Sequence, residues 1–543
     1  MRIARTCKEL DVTSIAVYSD VDAHALHVSA ADECVHLPGV APSETYLNIR
    51  AIIEAARDTG AEAVHPGYGF LSESAGFAAA VTEAGLVWIG PPPEAMREVG
   101  DKIQARNLAR GAGVPIVPGL TEPVEDVSAI REFAAEHGYP IAVKAAGGGG
   151  GRGLKVVRAE EDVEEAFASA RREAEAYFGS RDVYVERYLD NPKHLEVQIL
   201  APSPSEALWL GVRDCSLQRR HQKLIEETPP ARFADLSDAM GQAAVALSKA
   251  CGYVNAGTVE MLVDRTGDFY FLEVNARLQV EHTVTEEVLG IDLVACQLKI
   301  AAGDPLGFTQ DDLSPRGHAI ECRINAEDPG AGFAPTPGRL TRYAEPQGPG
   351  IRVDPGYRSG DEIPSAYDSL IAKLIVTGAD REEARRRMIR ALDEMTVEGV
   401  ATTIPAHLLL LTDGSFVAGT HTTRTVEDGG MLAQLAAAVE EQSQDVLMVA
   451  GRPVRLWNPA MSASAAAAVS GVAGGEAVAP MQGTILKVLV DPGQVVEPGQ
   501  AVAVLEAMKM ETVISATRAG IVSEVPVGPG DTVAAGQVVV VIE

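Results

Sequence analysis

AGTVEMLVDRTGDFYFLEVNARLQVEH, residues 256–282, decides how the middle of this chain folds. Glu260 ends one apolar run and Glu273 ends the next, with a turn signalled by Thr266-Gly267 between them. Two short apolar runs around such a turn form an antiparallel pair, so the two carboxylates are expected side by side on neighbouring strands. With Asn275 they make an all-oxygen set, the kind that suits Mg2+ (or Mn2+) bridging nucleotide phosphates. Arg277 and Glu281 then bring a cation and a base toward the same place. A surface strand laced with salt bridges is the plain alternative. This many charges inside an apolar β-region argue against it.

Outward from this stretch the chain keeps a β–α rhythm. SIAVYS (14–19) is a short apolar run ending in turn residues, a helical pattern covers Leu47 to Ala56, and short runs follow at Ala63–His65 and Val87–Ile89. That alternation predicts a parallel sheet with helices on its faces over residues 1–98. The rhythm continues over 99–314. Residues 315–427 are mixed, with strands in HAIECRIN and SLIAKLIV and a helix in REEARRRMIRALDEM. Residues 428–474 are rich in Ala, Ser and Gly and read as a linker. Within them MLAQLAAAVEEQ reads as a short helix and VLMVAGRPVRLW as a hairpin. At about 100–200 residues per domain, the 543 residues hold three to five domains. The fold class is α/β multidomain.

Residues 475–543 carry an internal repeat. GTILKVLVDPGQVVEPGQAVAVLE (483–506) aligns without a gap with GIVSEVPVGPGDTVAAGQVVVVIE (520–543). Neither copy can bury both faces alone, so two interleaved copies are expected to make one flattened all-β sandwich. The connection between them reads AMKMETVISATRA and presents Lys509, flanked by two methionines, at the symmetry point. A lysine on a hairpin tip is open to acylation by a cofactor acid.

Two further segments carry charge chemistry. Lys144 leads into five consecutive glycines closed by Arg152 and Gly153, between the strand patterns YPIAVK and LKVVR. Such a loop lets backbone N–H groups approach phosphates without side-chain clash. No GK[ST] follows, so it is not a Walker A loop. Arg213-Asp214-Cys215-Ser216-Leu217-Gln218-Arg219-Arg220-His221-Gln222-Lys223 packs four cations into five residues of a chain whose formal charge is −30. That cluster calls for an anion. Cys215, inside it, reads as a structural residue.

The global charge and a pI of about 4.8 argue against nucleic acid and against an anionic membrane surface as partners. No window approaches the roughly 20 apolar residues of a spanning helix. The six cysteines never fall in a CxxC pair, which speaks against disulfides and zinc. The expectation is a cytoplasmic protein with reduced thiols.

Taken together with HPGYGFLSE (65–73), Gly100-Asp101-Lys102 and the segment from Arg352 to Lys373, these motifs closely resemble biotin carboxylase over residues 1–427. The A-M-K-M around Lys509 resembles the biotinyl domain of biotin-dependent carboxylases. The resemblance implies an N-terminal domain (1–98), an ATP-grasp domain (99–314, lid about 116–188), a C-terminal carboxylase domain (315–427) and a biotin carrier (475–543). It implies biotin on Lys509, and ATP held by Lys102, Lys144, Gly150 and Gly151 of the lid, the hinge Glu186, Arg187, Tyr188 and Leu189, and His194 and His221. The family usually has Lys where Arg187 stands, in a contact made by main chain. Glu260, Glu273 and Asn275 would hold the metal, and Glu260 and Glu273 thereby the ATP. Lys223, Arg277, Gln279 and the Val280 backbone would hold bicarbonate. Glu281 would take its proton, so that ATP gives carboxyphosphate, and Arg352 would stabilise charge on biotin. Lys223, Arg277, Glu281 and Arg352 are thus the expected catalytic residues.

The resemblance further implies a biotin protein ligase that loads Lys509, a separate carboxyltransferase (beta) subunit, and an oligomeric acyl-CoA carboxylase acting on acetyl-CoA or propionyl-CoA. Two alternatives stand beside it. One is a carrier subunit with an impaired carboxylase half, since the family's first strand is not seen before RIARTCKEL. The other is a subunit of a carboxylase acting on pyruvate or urea. Removing the charge of Glu260 or Glu273 is expected to leave the ligand-free fold intact, because facing carboxylates repel.

Overall fold

The structure, a computed structural model, describes residues 1–120, 123–145, 154–178, 182–220, 222–428, 430, 434, 446–449, 452–455, 476–479, 483–507, 510–533 and 536–543. It divides into two compact units. One comprises Met1–Glu62, Glu321–Asp413 and Val426–Glu543, the other Ala63–Ile320 and Gly414–Thr425.

The second unit is built on antiparallel strands in the spatial order Phe269–Asn275, Asn255–Val263, Lys193–Ser203, Glu206–Arg219 and Gln222–Thr228. Successive side chains of a strand point to opposite faces, and in Lys193–Ser203 the two faces differ sharply. Leu195, Val197 and Ile199 join Val259 and Met261 in a core with Met240, Ala244 and Leu247 of the helix Ser237–Ala250. His194, Glu196 and Gln198 face the other way and are also buried. Buried polar groups are costly unless they are bonded, so this second face can exist only as a satisfied network.

The expected lid is a three-stranded sheet, Leu154–Val157, Ile141–Ala145 and Val183–Arg187, with the helices Val127–His137 and Val163–Phe178. Ile130, Phe133, Ile141, Val143, Val157, Val163 and Val185 form its core. Gly119 bridges to Glu186. A Cβ there would lie 2.9 Å from the Glu186 Cβ and 3.0 Å from the Val185 carbonyl, so only glycine lets the chain pass this close to the strand Val183–Arg187. The Ala63–Val64 and Val87–Trp88 strands of this unit are parallel, as the β–α rhythm predicts.

In the first unit the helix Arg2–Glu9 precedes the strand Ile15–Tyr18, which pairs in parallel with Glu33–His36. His318–Asn325, whose residues from Glu321 on belong here, neighbours Leu370–Gly378, which pairs in turn with Ile351–Pro355. The helix Arg381–Glu394 starts on an Asp380 cap. The hairpin read in VLMVAGRPVRLW is present, with Val446–Val449 antiparallel to Arg452–Arg455. The helix read in MLAQLAAAVEEQ falls outside the described residues except Gln434.

The C-terminal repeat folds into two four-stranded sheets. The copies interleave: Val495–Val496 of the first pairs with Gly520–Glu524 of the second, and Thr532–Val533 of the second with Gly483–Val488 of the first. The core follows the repeat, because Ile485, Val490, Val496, Val502, Ala503 and Leu505 are buried and so are Val522, Val527, Val533, Val539, Val540 and Ile542, their counterparts in the alignment. Ala501–Ala507 and Met510–Ser515 form a hairpin closed by the pair Ala507 and Met510. Lys509, in its turn, is outside the described residues.

Candidate active site

Residues directly opposite one another on neighbouring strands share a face. Here the register places Glu273, Glu260, Glu196 and Arg213 in one line across four strands. The adjacent line on that face is Asn275, Thr258 and Gln198. Glu260 and Glu273 are therefore side by side, as the sequence predicts. A bulge follows them: Met261 pairs with Phe271, so Leu272 is the extra residue. Bulges re-aim side chains beside functional sites, and Glu273 is left more open than the fully lined Glu260.

Lys223, on the fifth strand, gathers the carboxylates. Its Nζ donates to Glu281 at 2.6 Å, Glu196 at 2.7 Å and Glu260 at 3.0 Å. Burial disfavours the ammonium, but Glu196, Glu260 and Glu281 outweigh it and hold its pKa well above the ordinary value. Glu260 also faces His194 Nε2 at 3.0 Å and accepts from Gln279 at 3.2 Å. Burial opposes its charge, yet Lys223 and His194 drive its pKa below the usual range. His194 moves upward, since Glu260 overcomes the burial of its ring. Glu273 moves up, pushed first by burial of its carboxylate and then by the Glu260 charge, with Lys102 opposing. Removing charge at Glu260 would thus break three contacts, so the expectation that either change spares the ligand-free fold fails for Glu260.

Arg277 donates to Gln279 at 2.6 Å and to Asn275 at 3.0 Å, and its Nε faces Glu73 at 3.2 Å. Glu281 is fully buried and directly precedes the helix His282–Leu289. Val280 lies between them in sequence. Cys215 Sγ approaches Glu281 at 3.8 Å, and burial pushes its thiol pKa well up, which makes it an inert packing group. The Asn275 Nδ2 is buried without a partner. The Glu260 and Glu273 carboxylates, paired on neighbouring strands with the Asn275 side chain on the next line of that face, offer the oxygen donors that suit a hard divalent cation.

Among the residues expected to hold the nucleotide, Asp101 caps the helix Lys102–Gly111 through the N–H groups of Ile103 and Gln104, at 3.0 and 2.8 Å. This puts Lys102 at the helix start. Lys144 and Arg106 both pair with Glu186. Arg187 donates its main-chain N–H to the Pro118 carbonyl at 2.9 Å, while its side chain reaches the Tyr270 hydroxyl at 2.9 Å. Tyr188 bonds the Pro140 carbonyl through its N–H, and Leu189 is buried. Gly150, Gly151 and His221 lie outside the described residues. Arg352 belongs to the other unit, where its Nε and Nη2 grip Asp354 at 3.1 and 3.0 Å.

Sequence reasoning gives no role to Glu196, and quotes Arg213 and Glu73 only within longer motifs without a role of their own. The signal for the first was present: His194, Glu196 and Gln198 alternate with apolar residues in KHLEVQIL, a pattern of one polar face.

Four family models match in chain order: Biotin carboxylase, N-terminal domain over 1–96; Carbamoyl-phosphate synthase L chain, ATP binding domain over 101–309; Biotin carboxylase C-terminal domain over 321–428; and Biotin-requiring enzyme over 476–542. The chain belongs to the biotin-dependent carboxylases and unites a biotin carboxylase with a biotin carrier domain. Among its relatives, the biotin-dependent acyl-coenzyme A carboxylase alpha3 subunit of Mycobacterium leprae is 44% identical, over 96% of this chain and 93% of that one. A pyruvate carboxylase subunit of Methanothermobacter thermautotrophicus is 46% identical, over 82% and 91%. Among solved structures, the biotin carboxylase domain of Hydrogenobacter thermophilus 2-oxoglutarate carboxylase, a dimer in complex with MgADP, ADP and bicarbonate, is 44% identical with a TM-score of 0.72. It covers 79% of this chain and 95% of that one. Among the described residues, no helix is long and apolar enough to cross a membrane.

Proposed function

We propose that this chain is the alpha subunit of an acyl-CoA carboxylase, which carboxylates biotin held on its own Lys509 for a separate carboxyltransferase subunit. The observation that carries the catalytic half is the line of Glu273, Glu260, Glu196 and Arg213, with Lys223 gripped between Glu196 and Glu281. Lys223, Arg277 and Gln279, with the Val280 backbone, bind bicarbonate, and Glu281 removes its proton. Fixed positive charge at Lys223 and Arg277 stabilises the charge that develops as the bicarbonate oxygen attacks the γ-phosphate of ATP. Lys102, Lys144 and the hinge at Glu186–Leu189 orient the nucleotide, with His194, His221 and the loop at Gly150-Gly151. Glu260, Glu273 and Asn275 would hold Mg2+, which supplies charge neutralisation at the phosphates.

The acyl-CoA reading is supported by the Mycobacterium leprae relative, whose similarity runs through the carrier domain. Pyruvate is the second reading, favoured by the similarity over the carboxylase part. Purifying the native complex and assaying it with acetyl-CoA, propionyl-CoA and pyruvate separates them. Activity on pyruvate alone would remove the acyl-CoA reading. Bicarbonate-dependent ATP cleavage by the isolated chain is expected, and its absence would leave only a carrier.

Biotin is expected on Lys509 alone after co-expression with a biotin protein ligase. Intact mass should rise by one biotinyl group, and peptide mapping should place it between Ala507 and Met510. A biotinyl group on another lysine would refute the assignment.

A further inference from the structure

We infer that Arg213 is a positioning residue for biotin carboxylation: its guanidinium sets the Lys223–Glu281 pair from both sides. This rests on the roles proposed above for Lys223 and Glu281. Arg213 is completely buried. Its Nε donates to Glu196 Oε1 at 2.5 Å, and the other oxygen of that carboxylate accepts from Lys223 at 2.7 Å. Its Nη1 donates to Thr285 at 3.0 Å, one turn along the helix His282–Leu289 that Glu281 precedes. Bonds to Gln198 at 2.8 Å on the adjacent strand and Thr258 at 3.1 Å on the strand beyond it fix the fork across the sheet. One arm thus reaches the lysine through Glu196, and the other reaches the helix start that bears the base.

Fold stability alone is a poor account of this arrangement. A buried ion pair in a sheet is often no more stabilising than apolar side chains of similar volume. What apolar residues cannot do is hold two separate elements in a fixed relation by a planar, multi-donor fork, and lysine cannot do so either. Arg213 touches neither bicarbonate nor nucleotide in this reading. A displacement of about 1 Å at reacting groups costs on the order of 10²-fold in rate.

The test uses the full chain and steady-state bicarbonate-dependent ATP cleavage. Arg213→Lys keeps the charge but loses the fork. It is expected to lower kcat by about 10²-fold and to raise the KM for bicarbonate while the KM for ATP stays at the wild-type value. A purely structural role predicts rates that follow the folded fraction, with both KM values unchanged, and that result would overturn the inference, as would wild-type kinetics. Should Arg213→Lys fail to fold, Thr285→Val removes only the helix arm. A smaller loss with the same split between the two KM values supports the inference, and wild-type behaviour overturns it. Glu281→Gln run in parallel separates the two levels. If it retains bicarbonate-dependent activity, the underlying reading of the site fails; if it is inactive while the Arg213 and Thr285 variants are normal, only the positioning role fails.

Discussion

Glu260→Gln and Glu273→Gln each lower bicarbonate-dependent ATP cleavage by about 10³-fold or more, while moving the stability of the ligand-free protein in opposite directions. The kinetic loss follows from the proposed role of both carboxylates in holding the metal. A divalent cation at transferring phosphates supplies several kcal/mol, and about 1.4 kcal/mol is tenfold in rate. The stability effects follow from the neighbours. Folding lowers the Glu260 pKa, through Lys223 and His194 acting against burial. Its contribution is therefore present above the ordinary carboxylate range and disappears as pH falls through the lowered value. Glu260→Gln should melt below wild type at pH 7, with a gap that narrows on acidification. Folding raises the Glu273 pKa, through burial and Glu260. Its ionised form is disfavoured, so its contribution is complete below the ordinary carboxylate range and is lost as pH rises through the raised value. Glu273→Gln should melt above wild type at pH 7, with the gain vanishing toward low pH. Melting curves across this range, with ATPase on the same samples, check both halves. Near-normal activity in either variant would remove the metal assignment, and equal stability changes would remove the account of the pair.

The parts of the site that can be read from sequence are those set by strand periodicity. Glu260 and Glu273 flank a Thr266-Gly267 turn, which brings their two strands together, although a regular register counted out from the turn would pair Glu260 with Leu272 and only the bulge sets Glu273 opposite it. The repeat is legible for a similar reason, since Gly493, Gly499, Gly530 and Gly536 all take positive φ at turns, where glycine is the default. What sequence does not supply is the identity of neighbouring strands far apart in the chain. Glu196 lies beside Glu260, and Arg213 beside Glu196, only because Lys193–Ser203 sits between two strands that the chain reaches at different times. Asp354 is legible as a carboxylate near Arg352, because residues two apart on a strand share a face. That it grips the guanidinium with both oxygens is a matter of side-chain geometry.

That grip sharpens the expectation for Arg352. Arg352→Ala should retain ATP affinity and bicarbonate-dependent ATP cleavage, yet lower biotin carboxylation by about 10²–10³-fold, the usual cost of removing a donor aimed at developing charge. The bidentate pair with Asp354 gives the competing explanation its physical form. Arg352 would then serve only to neutralise Asp354, which sits opposite Lys373 on the adjacent strand at 3.8 Å, with Glu321 also 3.8 Å from that lysine. Under that explanation the loss is one of stability, and both activities fall together with the melting temperature. Asp354→Asn discriminates between them. It removes the charge that Arg352 would neutralise but keeps the arginine. If Arg352 acts on biotin, Asp354→Asn loses far less carboxylation than Arg352→Ala, even where the two melt alike. If the pair is purely structural, the two variants lose activity in proportion to their stability. A donor used in one step alone lowers that step and spares the others, so the ratio of carboxylation to ATP cleavage, measured on one preparation, decides the matter: it must collapse in Arg352→Ala and hold in Asp354→Asn.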